Sequence, residues 1–219
     1  MSPTPSERRA ETGRYHHGDL RAALVDAAVE LIGERGVRGF SLAEVSRRLG
    51  VSAGAPYKHF PDRETLLAAV AARAFEIFGE MLGIGADAAD EDADGDLTPA
   101  DRLAAMVGAY VRFAAERRPL FDALFSAGID KSRFPEVHRA EAPIDAALER
   151  SVRALCADDP VGAEALEGAL IATAHGYATL LLDGEYGTGP DAVAGTAQRA
   201  SNAALALIEG RAALRGPTR

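Results

Sequence analysis

Ser41-Leu42-Ala43-Glu44-Val45-Ser46-Arg47-Arg48-Leu49-Gly50-Val51-Ser52-Ala53-Gly54-Ala55-Pro56-Tyr57-Lys58-His59-Phe60 is the stretch whose reading decides the fold. Ser41 and Glu44 stand at capping-box spacing, where each side chain satisfies the other residue's free backbone N–H. Leu42, Val45 and Leu49 follow at i, i+3 and i+7, the period of a buried helical face. Gly50 is a left-handed helix stop and Ser52 a new N-cap. The spacing predicts two short helices, about 41–49 and 52–59, joined by a turn of about three residues. Such a pair suits the DNA major groove, with one helix across the backbone and the second among the base edges. The entering end, Ser52-Ala53-Gly54-Ala55, is small, and Tyr57, Lys58 and His59 follow as donors to phosphate or bases. Pro56 breaks the local rule: at the fourth helical position it removes a hydrogen bond and crowds the Ser52 carbonyl.

Working outward, Leu20, Leu24, Ala27, Ala28, Leu31 and Ile32 share one face of a helix starting near His17. Pro61-Asp62 opens another, on which Leu67, Val70, Ala74, Ile77 and Met81 alternate by three and four. Periodicity stops from Gly83 to Gly95, a stretch dense in Asp and poor in apolar residues. Thr98-Pro99 restarts it with a cap and a first-turn proline. Leu103, Met106, Val107, Tyr110 and Phe113 form the next stripe. A short aromatic helix around Leu120–Phe125, helices over about 136–156 and 161–183, and a last one over about 191–213 complete an all-α chain of about nine helices. The divisions expected are a disordered arm at 1–13, a three-helix DNA-binding domain at 14–62, a connecting fourth helix at 63–82, an acidic loop at 83–98, and an effector-binding and dimerisation domain at 99–219.

Charge follows that division. The 219-residue chain is formally −9. Residues 1–63 carry ten Lys and Arg against eight Asp and Glu, a net of +2, and the remainder fourteen against twenty-five, a net of −11. A mildly basic segment precedes an acidic body, the sense a DNA contact requires. Cys156 is the single cysteine, so neither an intrachain disulfide nor a cysteine metal cluster can form. The polar opening with Arg8 and Arg9 is unlike a signal peptide, and the uncharged run Gly168–Leu182 falls short of the ~20 residues of a membrane span. The expectation is a cytoplasmic protein without metal, cofactor or membrane partner.

Phe40-Ser41-Leu42, Gly50-Val51-Ser52, Tyr57-Lys58-His59-Phe60 and Arg63-Glu64-Thr65-Leu66-Leu67 together resemble the DNA-binding domain of the TetR family of transcriptional regulators. Ser46 stands where that pattern has alanine, and Arg63 where it has lysine. The opening Tyr15-His16-His17-Gly18-Asp19-Leu20 and the Ala55-Pro56-Tyr57 variant resemble a branch with a C-terminal Trp-x-x-x-His-Gly signature. Here His175-Gly176 fits and Ile171 replaces the tryptophan. The resemblance implies phosphate contacts from Ser41, Tyr57, His59 and Arg63, with Ser52 at the free end of the reading helix. It also implies base-edge contacts from Ala53, Gly54 and Lys58, and an arm anchored by Arg14. It implies a homodimer through the last two long helices, where His175, Gly176, Leu180, Ala200, Ala204 and Leu207 are the candidates. A small-molecule effector cavity is implied too, with Met106, Tyr110, Phe113, Phe121, Phe125 and Tyr177 as candidate lining.

Each of these has a plainer reading. His175 on an apolar helix is more often a hydrogen-bonded core or interface residue than a ligand, and aromatics at helical spacing are usually core. Cys156 has only Arg153 as a nearby cation, which favours an inert thiol. The acidic run lacks calcium-loop spacing. No catalytic pair, phosphate loop or zinc motif is present, which argues against an enzyme. The function expected is a TetR-like regulator, a repressor that binds a palindromic double-stranded DNA operator as a dimer and is released by a small molecule. An activator or ligand-independent regulator of the same fold, a helical carrier, and an interaction module that has lost DNA binding are the alternatives.

Overall fold

A computed structural model describes residues 17–84, 97–125 and 130–214. The expected arm, Arg14, and most of the acidic loop lie outside the described residues. Among the described residues there are eight α-helices: α1 (His17–Arg35), α2 (Leu42–Leu49), α3 (Arg63–Met81), α4 (Pro99–Glu116), α5 (Arg118–Phe125), α6 (Pro135–Leu155), α7 (Pro160–Leu182) and α8 (Pro190–Glu209). Single 3₁₀ turns cover Val37–Gly39, Pro56–Lys58, Lys131–Arg133 and Arg211–Leu214, and no strand occurs among the described residues.

The helix ends follow the chemistry of the chain. Ser41 Oγ accepts the Glu44 N–H at 3.4 Å, the N-cap half of the box, while the Glu44 carboxylate takes the Ser41 hydroxyl at 3.2 Å in place of the backbone N–H. Gly50, at φ 66°, lets its own N–H reach Arg47 O and the Val51 N–H reach Ser46 O, a left-handed stop that terminates α2. Asp62 and Thr98 cap α3 and α4 through the N–H groups of Thr65 and Asp101. Four helices, α4, α6, α7 and α8, open on a proline, where the missing N–H costs nothing.

The ninth expected helix is not an α-helix. Over 52–59 the chain makes i→i+3 bonds, Ala55 N–H to Ser52 O at 2.9 Å and His59 N–H to Pro56 O at 2.9 Å. Pro56 explains the difference. It has no N–H to return to Ser52, so the Ser52 carbonyl takes the Ala55 N–H instead and the segment tightens to a turn and a 3₁₀ helix. The last expected helix is also shorter. It ends at Glu209, and Gly210 passes the chain into the 3₁₀ turn.

Packing centres on α3, which buries eleven residues from Leu66 to Gly79 against α1, α5 and α6. The other focus is α4, which lies mainly against α8 and α7. Small residues bring α4 and α8 close. Ser201 Oγ donates to Ala104 O at 2.8 Å, and a methyl group on Gly108 would collide with Ser201 Oγ. Ala200 and Ala204, expected at a dimer seam, are fully buried in this intrachain contact. The reason is the close approach of α4 and α8, which leaves no surface at these two alanines for a partner to cover. By length and apolarity α7 could cross a membrane. It carries Glu164 and Glu167, however, and its buried residues Leu166, Leu170, Ala174, Ala178 and Leu181 belong to the common core formed with α4 and α8. Replacing Gly108 by valine overpacks the α4–α8 contact and is expected to cost about 1–3 kcal/mol, read as a lowered urea midpoint.

Candidate nucleic-acid interface

The reading segment is anchored at its two apolar points and open elsewhere. Pro56 and Phe60 are buried, whereas Ser52, Ala53, Gly54, Tyr57 and Lys58 are exposed and His59 is half-buried. Arg21 of α1 lies over the Phe60 ring, 5.0 Å from its centre, which fixes the end of the segment. Tyr57 is 55% exposed, the only aromatic ring of the described segment 17–84 among the exposed large apolar groups. A phenol held out this way presents its hydroxyl to whatever approaches.

Ion pairs set α2 against α1. Arg48 reaches Glu34 at 2.6 Å and Glu30 at 3.2 Å, and Arg35 of α1 binds Glu44 in the first turn of α2. The hydrogen bond from Arg48 holds the Glu34 carboxyl below the usual carboxylate range. These guanidiniums are spent within the domain. Arg38 and Lys58, both exposed, pair with no described carboxylate, and Arg47 has only a loose contact with Glu44 at 3.9 Å. Of these three, Lys58 lies in the reading segment and Arg47 on α2, which packs against it. Sequence reasoning did not single out Arg38 or Arg47: Glu34 stands four positions before the first and Glu44 three before the second, and the fold gives those carboxylates to Arg48 and Arg35 instead.

Two expected phosphate ligands are already engaged. The Ser41 hydroxyl donates to Glu44, so it must exchange that bond to donate elsewhere. Arg63 turns inward: Nε donates to Phe40 O at 3.3 Å, Nη2 donates to Val37 O, and the guanidinium covers the Phe40 ring at 4.8 Å.

In the body, Tyr110, Phe113, Phe121 and Phe125 come together with Phe78 and His175. The Tyr110 hydroxyl and His175 Nδ1 are 3.0 Å apart, and the His175 ring stacks on Phe121. Burial pushes the Tyr110 hydroxyl well above the usual phenol range, so it stays neutral. Met106 is half-buried against the core. Tyr177 does not join it: its ring stacks on Tyr186, beneath Arg199. A cleft of about 730 Å³ lies elsewhere, between α1, α3 and α6, with Val25, Ala69, Phe75 and Ile144 in its wall and none of the six expected residues. Of the remaining dimer candidates, Leu180 is 43% exposed, Gly176 and Leu207 are half-buried, and His175 faces the aromatic cluster.

Tyr57→Phe removes one donor from an exposed ring. The expected result is duplex DNA binding weakened about fivefold, equivalent to about 1 kcal/mol, with thermal melting unchanged.

Both halves of this arrangement match known proteins. Residues 24–70 match the profile of bacterial regulatory proteins of the tetR family, and residues 103–204 match a tetracyclin repressor-like C-terminal domain. The HTH-type transcriptional regulator BetI of Rhizobium meliloti (strain 1021) is 31% identical over 147 residues, which is 64% of this chain and 68% of that protein. A protein of unknown function from Rhodococcus sp. RHA1 superposes with a TM-score of 0.65 at 30% identity, covering 88% of this chain and 97% of the other. The transcriptional regulator FadR from Bacillus subtilis, solved in complex with stearoyl-CoA, has the same fold, with a TM-score of 0.61 at 17% identity over 85% of this chain and 96% of its own. With an anchored reading segment, an all-helical body and matches to both, the chain belongs to the TetR family of transcriptional regulators.

Proposed function

We propose that this regulator is a repressor that binds a palindromic operator as a symmetric dimer and is released by a small organic effector. Residues 14–62 act as the DNA-binding domain, 63–82 as the connector, and 99–219 as the effector and dimerisation domain. The protein acts by binding alone, in the cytoplasm, without cofactor or catalysis.

The observation that carries the reading is the position of α5. At one end Phe121 and Phe125 belong to the aromatic cluster, and Phe125 is 43% exposed. At the other end Pro119 presses on α1, where a methyl group on Gly33 would stand 3.1 Å from Pro119 Cγ. An effector that parts the cluster moves α5, and α5 has no slack against the DNA-binding domain. Tyr110 and His175 supply the one polar pair, so the effector class is an apolar or aromatic body with a single hydrogen-bonding group. FadR, of the same fold, was solved with stearoyl-CoA, which supports a mostly apolar ligand. The dimer reading rests on α7, whose Ile171 and Leu180 are exposed large apolar residues. Gly176, where an added methyl group would meet nothing within 4 Å, lies between them. Two such protomers would set their reading segments about 34–36 Å apart, one turn of DNA.

The test is anisotropy of a labelled duplex spanning the chain's own upstream region, at two salt concentrations, beside a scrambled duplex. Specific, salt-sensitive binding relieved by a member of a panel of acyl-CoAs and phenols supports the reading. Equal binding to both duplexes sinks it. Pro119→Ala is expected to keep operator affinity within about threefold while the effector's shift in Kd, ordinarily about 5–150-fold, shrinks towards none. Leu180→Glu puts a charge on the seam, and sedimentation should then show monomers that bind operator at least about a hundredfold more weakly with helicity intact.

A further inference from the structure

We infer that Arg63 is a positioning residue: its guanidinium clasps the connection between α1 and α2 and sets the pose of the α2 N-terminus for DNA, instead of holding a phosphate. The first residue of α3 is a poor place for a cation, because the helix dipole is positive there. What holds Arg63 in place lies across the chain. The connection from Gly36 to Phe40 presents two carbonyls, those of Val37 and Phe40, and the planar fork of Arg63 donates to both while its face covers the Phe40 ring.

The neighbours make this contact consequential. Val37 and Phe40 are buried, so withdrawing the fork leaves two carbonyls short of a donor near the core. Ser41, the cap of α2, follows Phe40 directly, and its carbonyl and hydroxyl receive the Val45 and Glu44 N–H groups. The opening of α2 is thus tied to the opening of α3 through one side chain. Because α3 is buried against α5 and α6, any displacement of α3 by the body reaches α2 through this clasp. A lysine ammonium at position 63 keeps the charge but has neither the fork nor the plane.

The experiment compares the whole protein with Arg63→Ala, Arg63→Lys and Phe40→Leu on one duplex recovered by selection from a random pool, from about 50 to about 200 mM salt. Expected is a loss of about tenfold for Arg63→Ala at every salt concentration, with the slope of log affinity against log salt unchanged. Arg63→Lys should fall within about twofold of Arg63→Ala. In the Phe40→Leu background the same replacement should cost clearly less, the non-additivity of a contacting pair. Amide exchange at Glu44 and Val45 should quicken while that of α3 residues 68–78 stays as in the parent, a local effect that general destabilisation does not produce. A slope reduced by about 0.9, the signature of one lost phosphate contact, with lysine restoring affinity, overturns the inference. So does an affinity unchanged by Arg63→Ala.

Discussion

Everything in this molecule leans on the burial of α3. A helix that buries eleven of its nineteen residues, and exposes only a stripe of Arg73, Glu76 and Glu80, cannot shift far without repacking its neighbours. Its first turn belongs to the reading half and its later turns to the body, and α1, α5 and α6 all pack on it. Small residues make this feasible. Ala68, Ala69, Ala71, Ala72 and Ala74 are buried, and they let surrounding helices close in while Phe75 and Phe78 fill the wider gaps. Phe78 then meets Tyr110 and Phe113, so the same helix that carries Arg63 at its start carries the edge of the aromatic cluster near its end. The helix is thus a close-packed rod between the reading half and the aromatic cluster.

Much of this was legible in the chain because it is governed by local rules. The Ser41–Glu44 box, the Gly50 stop, the Asp62 and Thr98 caps and the proline openings are decided within four residues of themselves, and the structure follows them. The stripe of Tyr110 and Phe113 and the short helix of Phe121 and Phe125 were readable by period, and they do converge. The 3₁₀ reading segment was half legible. Pro56 was recognised as costly to a helix, but the outcome depended on where the Ser52 carbonyl would find another donor.

What escaped the sequence is non-local. Ala200 and Ala204 fit any close helix contact, and nothing in their spacing says whether the neighbour is α4 of the same chain or a second protomer. Tyr177 lies on α7 with His175, yet two residues turn a side chain by about 200° on a helix, so it faces Tyr186 instead of the cluster. Arg63 has its partners 23 and 26 residues away, and as a sequence position it looks identical whether it points to a phosphate or to a carbonyl. Gly33 and Pro119 are both ordinary until the fold sets one on the other.

Gly54 has a consequence of a different kind. Its backbone is not in the left-handed region, and a side chain added there would meet nothing of the protein within 4 Å. Its neighbours Ser52 and Ala53 are exposed as well, while Pro56 and Phe60 secure the segment from below. The residues that hold the segment and the residues that face outward are therefore different letters of the same short word. The anchors can be left alone while positions 52, 53 and 54 are varied, so the outward surface can change without the core having to be invented again.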